Sequence, residues 1–227
     1  MKEEQSTRVF LYFFVPFALV LSVSFGAALY NQNQEQTAGS TSAQSILVLK
    51  MHGEIDGTMW ARFKKVVLNS TLAPPDYVII QMNSTGGDYY TVESMGAWMN
   101  FMKNNGAKVY FIAGGFGDRD VCTSGCWLLS TFSQSYFVNA NTKWGFDHNV
   151  TDFRDRRELL AKIEALVKVN TGTDAFTFFV TMGRTTIFDK PYKIYPEGLI
   201  ESLRHDNPGV FFRVQTFTVN GTLPAKA

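Results

Sequence analysis

The chain has 227 residues, 45% of them hydrophobic and 18% charged, with a formal net charge of +1 and two cysteines. This balance excludes a disordered chain, which would hold too little apolar surface to form a core, and it leaves no basic footprint for nucleic acid. The length fits one domain plus an appendage.

The appendage is N-terminal. Val9 to Tyr30 (VFLYFFVPFALVLSVSFGAALY) is 22 residues without a charge. As a helix rising about 1.5 Å per residue it reaches roughly 33 Å, enough to cross a bilayer core. Pro16 is tolerated in such a span, and Lys2 and Arg8 precede it, offset by Glu3 and Glu4. A cleaved signal has a shorter apolar stretch of about 7–15 residues and a small-x-small site, and no clean site follows here. Residues 1–30 are therefore expected to form a single-pass transmembrane helix in an inner membrane. A cleaved signal, or a buried helix of a soluble domain, is the alternative. With an anchor or a signal, the remainder lies on the extracytoplasmic, periplasmic side, secreted if the segment is removed.

Asn31 to Ala43 (NQNQEQTAGSTSA) is polar, small and aperiodic, which predicts a flexible linker over 31–44 and a folded domain over 45–227. Ser45–Met51 reads as a strand and Gly57–Leu68 as a helix. Tyr77–Met82 is a continuous apolar run, as in a strand covered on both faces. The next segment places Val92, Met95, Met99 and Met102 on one helical face, with Gly106 as its stop. Lys108–Ala113 is a third strand, followed by a loop over Gly114–Val121 and a helix from Ser124 to Phe132. Short strands follow at Ser135–Val138 and Lys143–Asp147. This alternation predicts parallel pairing through crossovers. Asp155–Val169 is an amphipathic helix carrying Leu159, Leu160, Ile163, Leu166 and Val167 on one side. Ala175–Met182 reads as another helix and Ile187–Phe188 as a strand. Pro196–Glu201 reads as a turn, and Gly209–Val219 as a final extended stretch.

Three stretches carry chemistry. Asn83-Ser-Thr-Gly-Gly-Asp88 places two glycines after a strand. Without a Cβ, either can adopt positive φ and let a substrate carbonyl approach a main-chain N–H, as in an oxyanion hole. Alone, such a pair is more often an ordinary strand-to-helix turn. Cys122-Thr-Ser-Gly-Cys126 then places Ser124 where a loop enters the apolar helix begun by Trp127-Leu128-Leu129. Serine is also a common N-cap, but here the free N–H of Gly125 would give a nucleophile a second oxyanion donor. The arrangement works like a nucleophile elbow although Gly-x-Ser-x-Gly is absent. Of the three histidines, His52 closes the first strand and His205 lies in a polar C-terminal loop. His148 ends a predicted strand 24 residues after Ser124 and begins a loop, a suitable position for a general base.

The order Gly-Gly, serine, histidine resembles that of the Clp peptidase and crotonase superfamily, most closely its extracytoplasmic Clp-like serine proteases, and more distantly the signal peptide peptidase A type. Asn83-Ser-Thr-Gly-Gly87 is similar to the Clp Asn-Ser-Pro-Gly-Gly turn, with threonine in place of proline. Thr123-Ser124 before a small residue and an apolar helix is similar to the Clp nucleophile segment. Tyr195-Pro-Glu-Gly-Leu-Ile-Glu-Ser-Leu203 is similar to the closing Gly-Leu-Ile-Asp turn. The resemblance spans about Ile46 to Leu203. It implies an α/β, crotonase-like (ClpP-like) ββα superhelix with Ser124 as nucleophile, His148 as base, and Gly87 and Gly125 as the oxyanion hole. It also implies a homo-oligomer, a peptide or protein substrate, and no cofactor or metal. Clp peptidases place an aspartate between the histidine and the closing turn. Asp189 is the carboxylate nearest that position, across a shorter segment than in the family. Asp147 adjoins His148, but neighbouring strand residues point to opposite faces.

Cys122 and Cys126 straddle the serine. Four apart in a helix, their Cα atoms would be roughly 6 Å apart, within disulfide range, and cysteines outside the cytoplasm tend to be oxidised. Nucleophilic attack by either cysteine is the rival reading. Zinc is short of ligands. Gly114-Gly-Phe-Gly117 lacks the Lys-Ser/Thr of a phosphate loop and is expected to be a mobile turn near the site. The leading function is a membrane-anchored, extracytoplasmic serine peptidase using a Ser-His(-Asp) acyl-enzyme mechanism. The competing readings are a catalytically inactive Clp-like scaffold or adaptor that binds peptides or proteins at the membrane, and crotonase-type acyl-CoA chemistry, which shares the oxyanion hole.

Overall fold

Strands buried on both faces have little polar side to show, so they read as largely apolar runs, and three such runs form the centre of the main sheet. A computed structural model describes residues 43–72, 74–139, 141–145, 153–173 and 194–222. Within these the strands are β1 (Ala43–His52), β2 (Tyr77–Asn83), β3 (Lys108–Ala113), β4 (Val121–Thr123), β5 (Ser135–Val138), β6 (Lys143–Gly145) and β7 (Phe211–Asn220). The helices are α1 (Gly57–Asn69), α2 (Tyr89–Asn104), α3 (Gly125–Ser130), α4 (Phe153–Thr171) and α5 (Pro196–Asp206). Five strands form one sheet in the order β5-β3-β2-β1-β7, and β4 pairs with β6 in a second, small sheet. Every strand pair is parallel, as the strand–helix alternation predicts.

The period of two in the strands sorts their side chains between two apolar layers. Leu47, Leu49 and Met51 of β1, Val78, Ile80 and Met82 of β2, and Val109 and Phe111 of β3 face α1, α2 and α3. Ile46, Val48, Tyr77, Ile79 and Ile112 face the other way, where Ile200 and Leu203 of α5 cover them. Val92, Met95, Met99 and Met102 are all buried, so the methionine stripe is core. Gly96 lies on the same helix, and a Cβ there would stand 2.4 Å from the Phe132 ring, so α2 carries no side chain where it meets that ring. In α4, Ile163 and Val167 are buried and Leu159 and Leu166 pack against the same core, while Leu160, a turn before Ile163, is exposed.

The closing segment differs from expectation in kind. Pro196–Glu201 is not a turn but the first half of α5, with Pro196 buried at its start. Proline read as a breaker is here at the first helical position, where its missing N–H costs nothing. Asn139 fixes the approach to this helix by accepting from Ile194 N (2.5 Å) and donating to the Ile194 carbonyl (3.0 Å) and to Ala113 O (3.2 Å). Lys50 Nζ donates to Glu197 Oε1 at 2.7 Å, and this ion pair holds the Glu197 carboxyl below its usual range.

Among the described residues no helix is long and apolar enough to cross a membrane; Val9–Tyr30 lies outside them, as do Ala175–Met182 and Ile187–Phe188.

Candidate active site

The parallel sheet ends its β2 strand at Asn83, and the next five residues turn the chain into α2. Asp88 caps that helix, accepting from Thr91 N at 2.7 Å and Thr91 Oγ1 at 2.8 Å. Between them Gly86 and Gly87 have φ of 109° and 150°, conformations open to glycine and costly for other residues. The turn is fastened to Ile55, whose N–H donates to Gly86 O and whose carbonyl accepts from Asp88 N, both at 2.8 Å. Both bonds of this bridge are made by the neighbours of Gly87. Its own N–H therefore points off the bridge and has no acceptor among the described residues.

The serine segment is laced to the same turn. Ser84 N donates to Val121 O at 2.7 Å and Thr123 N to Ser84 O at 3.2 Å, while Thr123 Oγ1 donates to the Thr85 carbonyl at 3.0 Å. Ser124 then adopts φ 48° and ψ −111°, outside the regions an ordinary residue prefers. Such backbone costs about 1–3 kcal/mol and persists only where its surroundings over-determine it. Here Ser124 N donates to Gly145 O and Ser124 O accepts from Leu128 N, both at 2.9 Å. The side chain is half-buried and caps nothing, so the N-cap reading of this serine fails in its usual form.

The two turns touch. A Cβ on Gly86 would lie 2.7 Å from Ser124 Cβ and 2.9 Å from Gly125 N, and one on Gly125 would lie 3.4 Å from Gly87 N. Only glycine at 86 permits this approach. The hydroxyl-bearing residue and the N–H groups of Gly87 and Gly125 are thereby gathered at one end of α3. Tyr89, two residues beyond Gly87, is half-buried, and burial followed by the charge of Glu93 raises its phenol above the ordinary value, keeping it protonated at neutral pH.

Cys122 and Cys126 form a disulfide across the serine, with Cα atoms 5.1 Å apart and both side chains fully buried. Cys122 belongs to β4 rather than to a helix, so the pair joins the middle residue of that strand to the second residue of α3. As a disulfide, the pair carries no free thiol for the rival cysteine-nucleophile reading.

Several supporting residues escape a reading of the sequence. Asn83 Nδ2 donates to Asp120 Oδ1 at 2.8 Å and Asn83 Oδ1 accepts from Val121 N at 2.9 Å, tying the end of β2 to the start of β4. Asp120 Oδ2 also accepts from Phe116 N (2.9 Å) and Gly117 N (3.1 Å), and Gln81 Nε2 donates to Gly114 O (3.0 Å). The glycine-rich loop, expected to be mobile, is thus pinned by two buried polar side chains. A signal was present: Gln81 and Asn83 interrupt an otherwise apolar strand, and a buried polar group needs a partner. Ile55 had no such mark, because its role is played by backbone.

His148 and Asp189 lie outside the described residues, as does Asp147. Of the other histidines, His52 packs its ring against Phe116 with centroids 5.8 Å apart. His205 is exposed beside Asp206, with Nδ1 3.3 Å from the carboxylate. Among the described residues Ser124 Oγ has no hydrogen-bond partner, and no group of three or more histidine, cysteine or acidic side chains could hold a metal ion.

This parallel sheet, with a serine at positive φ against a paired-glycine turn, is a mixed α/β fold that resembles that of a solved membrane-bound protease. A variant of the 1510-N membrane-bound stomatin-specific protease, in complex with a substrate peptide, superposes with a TM-score of 0.52 over 77% of this chain and 92% of that one, at 10% identity. The 1510-N protease from Pyrococcus horikoshii, specific for a stomatin homolog, gives 0.49 over 80% and 94%, at 12% identity. The catalytic domain of ClpP from Plasmodium falciparum gives 0.41 over 79% and 89%, at 10% identity. Another 1510-N variant is covered over only 64% of its length, with a TM-score of 0.45, 12% identity and 56% of this chain. No family model matches the sequence, and no curated protein does.

Proposed function

We propose that the chain is a serine peptidase of Clp-like fold that hydrolyses peptides or proteins through an acyl-enzyme. One observation carries the reading: Ser124 is held in a strained positive-φ conformation beside two main-chain N–H groups, of Gly87 and Gly125, that no described residue uses. Ser124 Oγ adds to the scissile carbonyl and its proton passes to His148. The two N–H groups receive the negative charge that develops on the carbonyl oxygen, usually the largest single contribution to such catalysis. The protonated imidazole then releases the amine, and water repeats the sequence to free the acid. His148 is three positions after Gly145, whose carbonyl accepts from Ser124 N, and three steps along the chain span at most about 11 Å. That reach supports His148 as the base. Asp189 is the candidate to orient it.

An anchor over residues 9–30 would hold the domain at a membrane on its extracytoplasmic side, and self-association follows from the likeness to Clp peptidases. The peptide bound to the stomatin-specific protease supports a peptide substrate here. A fluorophosphonate probe should label the full chain, and Ser124→Ala and His148→Ala should each remove labelling. Labelling that persists in Ser124→Ala would exclude this residue as nucleophile. A wild-type chain that binds peptides but resists the probe would favour the scaffold reading.

A further inference from the structure

Hydrogen bonds hold Thr123 and Ser124, but the Gly125 N–H has no acceptor among the described residues, so these bonds alone leave the Ser124 torsions incompletely fixed. Thr123 is held by Ser84 and Thr85, and Ser124 itself by the Gly145 carbonyl and by Leu128 N. All of these bonds survive a modest rotation about the Ser124 backbone, because each tolerates a spread of angles. Such a rotation would turn Oγ away and swing the Gly125 N–H off the point it shares with Gly87. The link between the two sides that rotation cannot stretch is covalent. Cys122, the middle residue of β4, and Cys126, the second residue of α3, are bonded across Ser124 with Cα atoms 5.1 Å apart.

We infer that the Cys122–Cys126 disulfide is a clamp on the nucleophile: it holds Ser124 in its positive-φ conformation, so that the enzyme is fully competent only when the pair is oxidised. The inference rests on the proposed peptidase reading and adds a control of that site. Cys122 and Cys126 are positioning residues, since neither touches substrate. Closing the clamp removes two protons and two electrons from the two thiols. A small-molecule or protein disulfide takes these up by thiol–disulfide exchange and leaves as its dithiol, or as two thiols. Both cysteines are fully buried in the folded chain. Oxidant and reductant therefore reach the pair either before the chain folds or through an opening of the serine turn.

The test compares the oxidised full chain with Cys122→Ala/Cys126→Ala, and with wild type refolded under reductant and then treated with glutathione disulfide. With a fluorophosphonate probe, the clamp predicts a maximal labelling rate lowered about 10- to 100-fold in the double variant, as a displacement near 1 Å would cause, with the probe concentration for half-maximal rate within about twofold. Oxidation should restore labelling in the refolded wild type and do nothing for the double variant. A purely structural bridge would instead lower the melting temperature and leave the maximal rate unchanged at low temperature, and that result overturns the inference. If the oxidised wild type does not label at all, the peptidase reading fails separately. The clamp is then judged by the NMR Cα shift and HN–Hα coupling of Ser124, which report its φ. Both should leave their positive-φ values in the double variant while β2 resonances stay in place, and unchanged values would refute it.

Discussion

Replacing Gly87 by alanine tests the site through its backbone. A Cβ at this position would stand 2.2 Å from the Ile55 carbonyl oxygen, 2.7 Å from its carbon and 2.8 Å from its nitrogen. Backbone cannot rotate aside as a side chain can, so the turn must retreat by about 1 Å to reach ordinary contact. That retreat loosens Ile55 N–Gly86 O and Asp88 N–Ile55 O, each contributing about 0.5–1.5 kcal/mol. Alanine also meets φ of 150°, adding a further ~1–2 kcal/mol. The loss should total about 3 kcal/mol, a fall in melting temperature of roughly 6–12 °C for a domain of this size. The same movement carries the Gly87 N–H off the developing oxyanion, and losing one such donor lowers the rate about 10²- to 10³-fold. Thermal denaturation followed by circular dichroism reads the first effect and fluorophosphonate labelling at 15 °C the second. A variant that melts with wild type and labels at the wild-type rate would refute the reasoning. A variant that loses stability but labels normally would retain the turn and exclude Gly87 N–H as an oxyanion donor.

Gly96→Ala should cost about 1–3 kcal/mol by overpacking, because its Cβ would penetrate the Phe132 ring edge at 2.4–2.5 Å; urea denaturation measures it, and pairing it with Phe132→Leu should return most of the loss. Asn139→Ala leaves the carbonyl and the N–H of Ile194 without their side-chain partner, while Ala113 O keeps the Asn139 backbone N–H, and should cost about 2–4 kcal/mol, with proteolysis near Ile194 accelerated before the rest of the domain. The Asp56 carboxyl is held below its ordinary value, chiefly by the Thr222 hydroxyl and then by Met59 N. A carboxylate depressed on folding stabilises above its unfolded pKa and loses that contribution as pH falls through its folded one. The gap in urea midpoint between wild type and Asp56→Ala should therefore be constant from pH 7 to 5 and narrow below about pH 4, and a gap that widens on acidification would reverse the assignment.

Local pattern carried a great deal of this protein. Apolar runs at Tyr77–Met82 and Lys108–Ala113, and the methionines at helical spacing in α2, follow from periodicity, because burial acts on every turn of a helix and every second residue of a strand. The segments around Gly86-Gly87 and Ser124 were legible as turns with free N–H groups, since glycine and serine have few other uses between a strand and an apolar helix. Pro196 misled because a proline marks a helix start and a loop equally well, and the burial of Ile200 and Leu203 under the second face of the sheet decides between them.

What the chain could not display was contact between segments far apart along it. That Gly86 leaves no room for a Cβ against Ser124, that Ile55 fastens the oxyanion turn, and that Asp120 ties down the glycine loop all depend on parallel strands bringing residues 55, 86, 120 and 124 to one end of the sheet. Composition and spacing supply the groups for acyl transfer. Their convergence is a product of close packing, which forms only when the whole core does.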